Sequence, residues 1–96
     1  MEDLLKEIKA LSDKEEKTVE QMVLKLAEEV GETSQAVLSH NKAKGSEYKE
    51  LNIQDVKEEC VDVLLVTMSL FYKICDNEQE LESLLKEKIL KWKSHM

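Results

Sequence analysis

The sequence predicts an all-α protein, an antiparallel bundle of about four helices per chain completed by homo-oligomerisation. Three observations lead there. The 96 residues include no proline and only two glycines, and leucine, lysine and glutamate dominate. That composition favours helices and leaves almost no turn chemistry for sheets. Apolar residues recur at helical spacing through most of the chain. One segment is apolar around its whole circumference and needs more cover than three companion helices of a short chain supply. The length suits one core, so residues 1–96 are read as a single domain.

The elements follow in order. Leu4, Leu5, Ile8 and Leu11 place a short first helix over residues 2 to about 12, ending near "SDKEEK". Thr18 with Gln21 forms a capping-box pattern, and Val19, Met22, Val23, Leu26, Val30, Thr33 and Val37 carry one stripe to about residue 42. "NKAKGSEYKELN" has Gly45, mixed charge and no periodicity, and reads as a loop. Asn52 caps a third helix with Asp55 in its first turn, running to about Cys75. Asp76 or Asn77, with Glu80 shortly after, starts a fourth helix through "ELESLLKEKILKW". Residues 63–75, "VLLVTMSLFYKIC", are the all-round apolar segment, which a second protomer is expected to help cover.

Charge excludes several functions. All fourteen basic residues are lysines, against twenty-one acids, for a formal net charge of -7. Such a chain lacks the positive face that nucleic-acid backbones require, and divalent cations are its more natural partners. "MEDLLKEIKA" has no basic segment followed by an apolar run, so no signal peptide is expected. "VDVLLVTMSLF" is about half the roughly 20 residues that cross a bilayer, so no membrane span is expected and the location is read as cytoplasmic. Cys60 and Cys75 read as small buried hydrophobes in a reducing compartment.

The chemistry lies in the acids. In "LAEEVGETSQ", Glu28, Glu29 and Glu32 repel one another, and Gly31 costs the helix about 1 kcal/mol relative to alanine. Helical projection sets Glu29 and Glu32 on one face beside the apolar stripe, with Lys25 four residues earlier placed for an ordinary surface ion pair. "EECVDV" repeats the pattern, with Glu59 and Asp62 sharing a face and Asp62 at the edge of apolar structure. Two such pairs on consecutive antiparallel helices meet across a bundle and offer four oxygens to a hard cation. Magnesium suits that donor set, keeping its own waters and sharing itself with phosphates. The competing reading of each pair alone is a solvated acidic face.

Other chemistries fail on residue types. A di-iron bundle needs Glu-x-x-His on two helices, but Val37 stands three before His40 and Trp92 three before His95. Both histidines are read as solvent-facing. No Ser, His and Asp grouping suggests a base-activated nucleophile, and no glycine-rich phosphate loop is present.

"KLAEEVGETSQAVL" followed by "VKEECVDVLL" resembles the MazG-like family of all-α nucleoside triphosphate pyrophosphohydrolases, whose signature is EExxE, a spacer, then ExxD. Here EExxE is Glu28, Glu29 and Glu32, ExxD is Glu59 and Asp62, and the spacer runs over residues 33–58. The resemblance covers roughly residues 18–75. It implies magnesium-dependent cleavage between the α and β phosphates, with manganese as a substitute ion, yielding a monophosphate and pyrophosphate. It carries metal ligation onto Glu29, Glu32, Glu59 and Asp62. Glu28 is left to orient the attacking water or a second metal, or to stand exposed. It implies a homodimer or homotetramer with sites near subunit contacts. Family members hold phosphates with basic and amide groups near the last helix; this chain, without arginine, offers Lys88, Lys91 and Lys93 there. Trp92, Tyr72 and Phe71 are the aromatic candidates for base stacking, and Lys88, Lys91 and Trp92 are taken as the substrate-binding set. Gly31 is either a tolerated helix glycine or a gap through which a helix or phosphate approaches the backbone. The alternatives are a specialist for phosphoribosyl-ATP or for deoxyuridine or deoxycytidine triphosphate, a nucleotide-binding regulatory module without turnover, and a purely structural bundle.

Overall fold

Capping chemistry sets where the helices begin. The computed structural model describes residues 1–41 and 52–96. Among them the chain forms four helices and no strand: α1 (Glu2–Asp13), α2 (Val19–His40), α3 (Ile53–Ile74) and α4 (Gln79–Ser94). At α2, Thr18 Oγ1 accepts from the Gln21 amide at 3.1 Å and Gln21 Oε1 accepts from the Thr18 amide at 2.9 Å. At α3, Asn52 Oδ1 accepts from the Asp55 amide at 3.1 Å and Asp55 Oδ2 returns the contact at 2.9 Å. Each box satisfies two amides that a helix start leaves without partners, worth about 1 kcal/mol or more. The loop expected over residues 41–52 lies almost wholly outside the described residues.

The fourth helix begins later than expected. Its first residue is Gln79, and Glu78 precedes it in a helical conformation without a side-chain cap. Glu80 instead turns back, accepting from the Asp76 and Asn77 amides. The pairing with Asn77 thus exists, but it orders the turn between α3 and α4.

α3 is the axis of the packing, with α2 along one side and α1 along another. Met22 shares a cleft with Leu65, Val66 and Ser69, whereas Val30 shares one with Cys60 and Val63. Position rises along α2 as it falls along α3, so the two are antiparallel. α1 is held by polar contacts at its end: the buried Ser12 hydroxyl donates to the Ser69 carbonyl at 2.7 Å. Lys73 Nζ donates to the carbonyls of Ser12 and Glu15 at the end of α1, the former also accepting from the Glu15 amide.

One chain does not cover its own apolar surface. Among the described residues, the buried hydrophobic side chains are Met22, Ala36 and Tyr72. Leu64 is 55% exposed, Leu65 42% and Ile74 61%, so the segment at 63–75 lacks the all-round cover expected for it. Cys60 is exposed on α3, correcting its reading as a buried hydrophobe, while Cys75 is half-buried, and both are free thiols. α4 packs extensively on none of the other helices, and Leu84, Leu85, Ile89, Leu90 and Trp92 along it are exposed. The four-helix expectation therefore holds in helix number, but α1, α2 and α3 alone make the packed unit.

Candidate metal centre

The acids of α2 and α3 converge at the interface of the two helices. Met22, Glu29 and Ala36 recur every seven residues on α2 and are all buried, so Glu29 occupies the buried stripe itself and not its border. Glu29 is 6% exposed. Opposite it, Glu59 is half-buried and Asp62 exposed. The interface is fastened at this level by Thr33, whose hydroxyl lies 2.9 Å from the Glu29 carbonyl oxygen and 3.3 Å from that of Glu59.

Two overlapping groups of carboxylates result. Glu28, Glu29 and Glu32 offer one oxygen each within 4.8 Å of one another, and so do Glu29, Glu59 and Asp62. Glu29 belongs to both. Opposed ligands around an octahedral magnesium lie about 4.2 Å apart, so either group needs only small side-chain movements to close on an ion of that size. Each of the five sequence-predicted acids thus belongs to at least one group, but the expected ligands are divided: Glu32 is grouped with Glu28 and Glu29, and Glu59 and Asp62 with Glu29 alone.

The electrostatics match the crowding. Glu29 Oε2 and Glu59 Oε2 are buried oxygens with no hydrogen-bond partner among the described residues. A carboxylate oxygen cut off from water without a partner is costly, and a cation removes that cost. The Glu32 carboxyl is held above its ordinary value, first by the charge of Glu29, then by partial loss of water and by the charge of Glu59.

Lys25 is the residue whose weight sequence reasoning missed. Its Nζ lies 3.0 Å from Glu29 Oε1 and 3.5 Å from Glu28 Oε1. The hydrogen bond to Glu29 and the charges of Glu28 and Glu29 hold the ammonium above its usual value. The spacing announced a pair, but only the burial of Glu29 shows that it is no surface ornament; the seven-residue register from Met22 to Ala36 was the available signal.

The proposed substrate residues are elsewhere. Lys88, Lys91 and Trp92 are exposed on α4, with Trp92 at 66%, and none lines the clefts beside the acids. Tyr72 is buried and shares a cleft with Leu5, Lys6 and Lys9 of α1, and Phe71 packs edge-on against it, ring centres 6.1 Å apart. His40 and His95 are exposed and join neither carboxylate group. A β-carbon placed on Gly31 would meet nothing within 4 Å, so no helix approaches there among the described residues. That corrects the helix-approach reading of Gly31. No helix of the described residues is long and apolar enough to cross a membrane. Comparison with protein-family models, with characterised proteins and with solved structures finds no match.

Proposed function

We propose that this chain is a cytoplasmic, magnesium-dependent nucleoside triphosphate pyrophosphohydrolase. The observation that carries the reading is a pair of carboxylate triads that share Glu29, one with Glu28 and Glu32 and the other with Glu59 and Asp62, with Glu29 Oε2 and Glu59 Oε2 buried and without a hydrogen-bond partner among the described residues. The donors are all carboxylate oxygens, a set that fits a hard divalent cation and gives no advantage to softer metals. Glu29, Glu32, Glu59 and Asp62 would hold magnesium, with manganese as a substitute. Magnesium in such a site supplies neutralisation of phosphate charge and a fixed orientation for the triphosphate.

The chain's own groups do the rest. The α2–α3 interface, fastened by Thr33, keeps Glu29 and Glu59 in register so that binding requires little reorganisation. Glu28, with its side chain 58% exposed, would orient the attacking water or a second metal on the solvent side. Attack at phosphorus separates the monophosphate from pyrophosphate without a covalent enzyme intermediate.

We assign the chain to a homodimer or homotetramer. Among the described residues only Met22, Ala36 and Tyr72 are buried hydrophobics, few for a domain of this length, and the exposed apolar side chains of α3 and α4 are the surfaces a second copy would cover. A nucleotide-binding module without turnover is the second reading. It is favoured by the absence of arginine and by the placement of Lys88 and Lys91 away from the acids.

Incubation with a panel of nucleoside triphosphates and magnesium, following pyrophosphate release, tests the leading reading. Release that is abolished by Glu32→Gln and by Asp62→Asn is the expected result. Activity unchanged by either substitution removes the assigned roles, and tight nucleotide binding in calorimetry without release selects the module.

A further inference from the structure

Lys25 stands where a cation belongs. Its ammonium bridges Glu28 Oε1 and Glu29 Oε1, two members of one carboxylate group, and thereby offsets charge in the metal-free protein. Glu29 is 6% exposed, so this is an ion pair with one buried partner, unlike the open pair of Lys86 and Glu82 on α4. The Lys25 side chain is 41% exposed and its stem is flexible, so the ammonium is free to leave.

Where it would go is also visible. Lys25 lines a cleft of about 200 Å³ with Glu15, Lys17, Met22, Leu65, Val66 and Ser69. On the outer side of α2 it lines a second cleft with Lys17, Gln21 and Glu28. Lys25 thus lies between the acids and these clefts, while Lys17 beside it is paired with Glu15 at 3.6 Å, so Lys25 is the cation left for an anion seated there once it leaves Glu28 and Glu29.

We propose that Lys25 is the resident counter-ion of the carboxylate cluster and changes partner on ligand binding, leaving Glu28 and Glu29 as a divalent cation arrives and engaging the phosphate groups of a polyphosphate ligand. The inference rests on the metal-centre reading above. Its physical basis is competition: an ammonium on the same Glu29 carboxylate repels a divalent ion and already offsets the negative charge that would attract it. Once released, the same charge finds its counter-charge in the incoming phosphates. One residue would thereby weaken binding of the bare ion and strengthen binding of ion and polyphosphate together, coupling the two.

Calorimetric titration separates these effects. Magnesium alone, and then inorganic pyrophosphate in saturating magnesium, are titrated into the wild type, Lys25→Met and Lys25→Gln; the last keeps a hydrogen-bond donor toward Glu29 without the charge. Both variants are expected to bind magnesium alone at least fivefold more tightly and magnesium-pyrophosphate at least tenfold more weakly. Their melting temperatures are expected below wild type in EDTA and level with it in saturating magnesium, a recovery that a merely structural ion pair would not show. Magnesium affinity equal to or below wild type, or unchanged pyrophosphate affinity, overturns the role of Lys25. If magnesium binds the wild type but the variants show no gain, the metal centre stands and only Lys25 is misassigned. If magnesium binds none of the three proteins, the metal centre itself falls.

Discussion

The Thr33 hydroxyl sits between the backbone carbonyls of Glu29 and Glu59, joining the two helical turns that carry the central acids of the cluster. The contact to Glu29 lies within α2, and the longer one to Glu59 ties that turn to α3. Thr33→Val keeps the shape and removes the donor, and should cost about 1 kcal/mol of stability in chemical denaturation. Magnesium affinity should fall as well, because the turns are no longer held in register. A variant with wild-type stability and affinity would show that the contact has no part in positioning.

Metal loading should stabilise the fold. Binding at about one hundred times the dissociation constant adds roughly 2.7 kcal/mol, which for a domain of this size raises the melting temperature by roughly 10–20 °C. Glu29→Gln should abolish most of that rise, since Glu29 belongs to both carboxylate groups. The measurement is a pair of thermal melts, in EDTA and in magnesium, for each protein.

The pH dependence of the metal-free protein follows from Glu32. Its carboxyl is raised in the folded state, by the charge of Glu29 first, so across the interval between the ordinary glutamate value and the raised one the native state binds more protons than the unfolded chain. Stability from this group therefore falls as pH rises through that interval. In EDTA, Glu32→Gln should match the wild type below the ordinary glutamate range and become the more stable of the two as pH rises to neutrality. Denaturant midpoints at several pH values read the divergence.

Gly31 offers a cleaner comparison. Nothing lies within 4 Å of a β-carbon placed there, so Gly31→Ala should add up to about 1 kcal/mol of helix stability. Unchanged turnover in the stabilised variant would make Gly31 a tolerated helix glycine. A loss of turnover at higher stability would show that substrate uses the open space.

Association should depend on the bare face of α3. Leu64 is 55% exposed and belongs to the apolar segment that the chain leaves uncovered, so Leu64→Glu should leave the helical content of one chain nearly unaltered while dissociating the proposed homo-oligomer. Sedimentation velocity at matched concentrations checks this, with an unchanged sedimentation coefficient counting against α3 as the contact.

Much of this protein was legible from local rules. Thr18 with Gln21 and Asn52 with Asp55 announced two helix starts because capping is decided within four residues, and the three-residue spacing of each acid pair placed its members on one face for the same reason. The start of α4 was misread because Glu80 pairs with the turn before the helix, a choice between two nearby sets of amides that spacing does not distinguish.

What the sequence determined by itself was therefore local: helical content, most helix boundaries and the acids that share a face. Only the tertiary structure decided that Glu29 is buried, that Lys25 answers it, that Cys60 and Leu64 face outward, and that α4 stands apart. The reason is physical. A helical repeat states which residues lie together on a face, but burial and charge pairing depend on which face a distant segment chooses to cover.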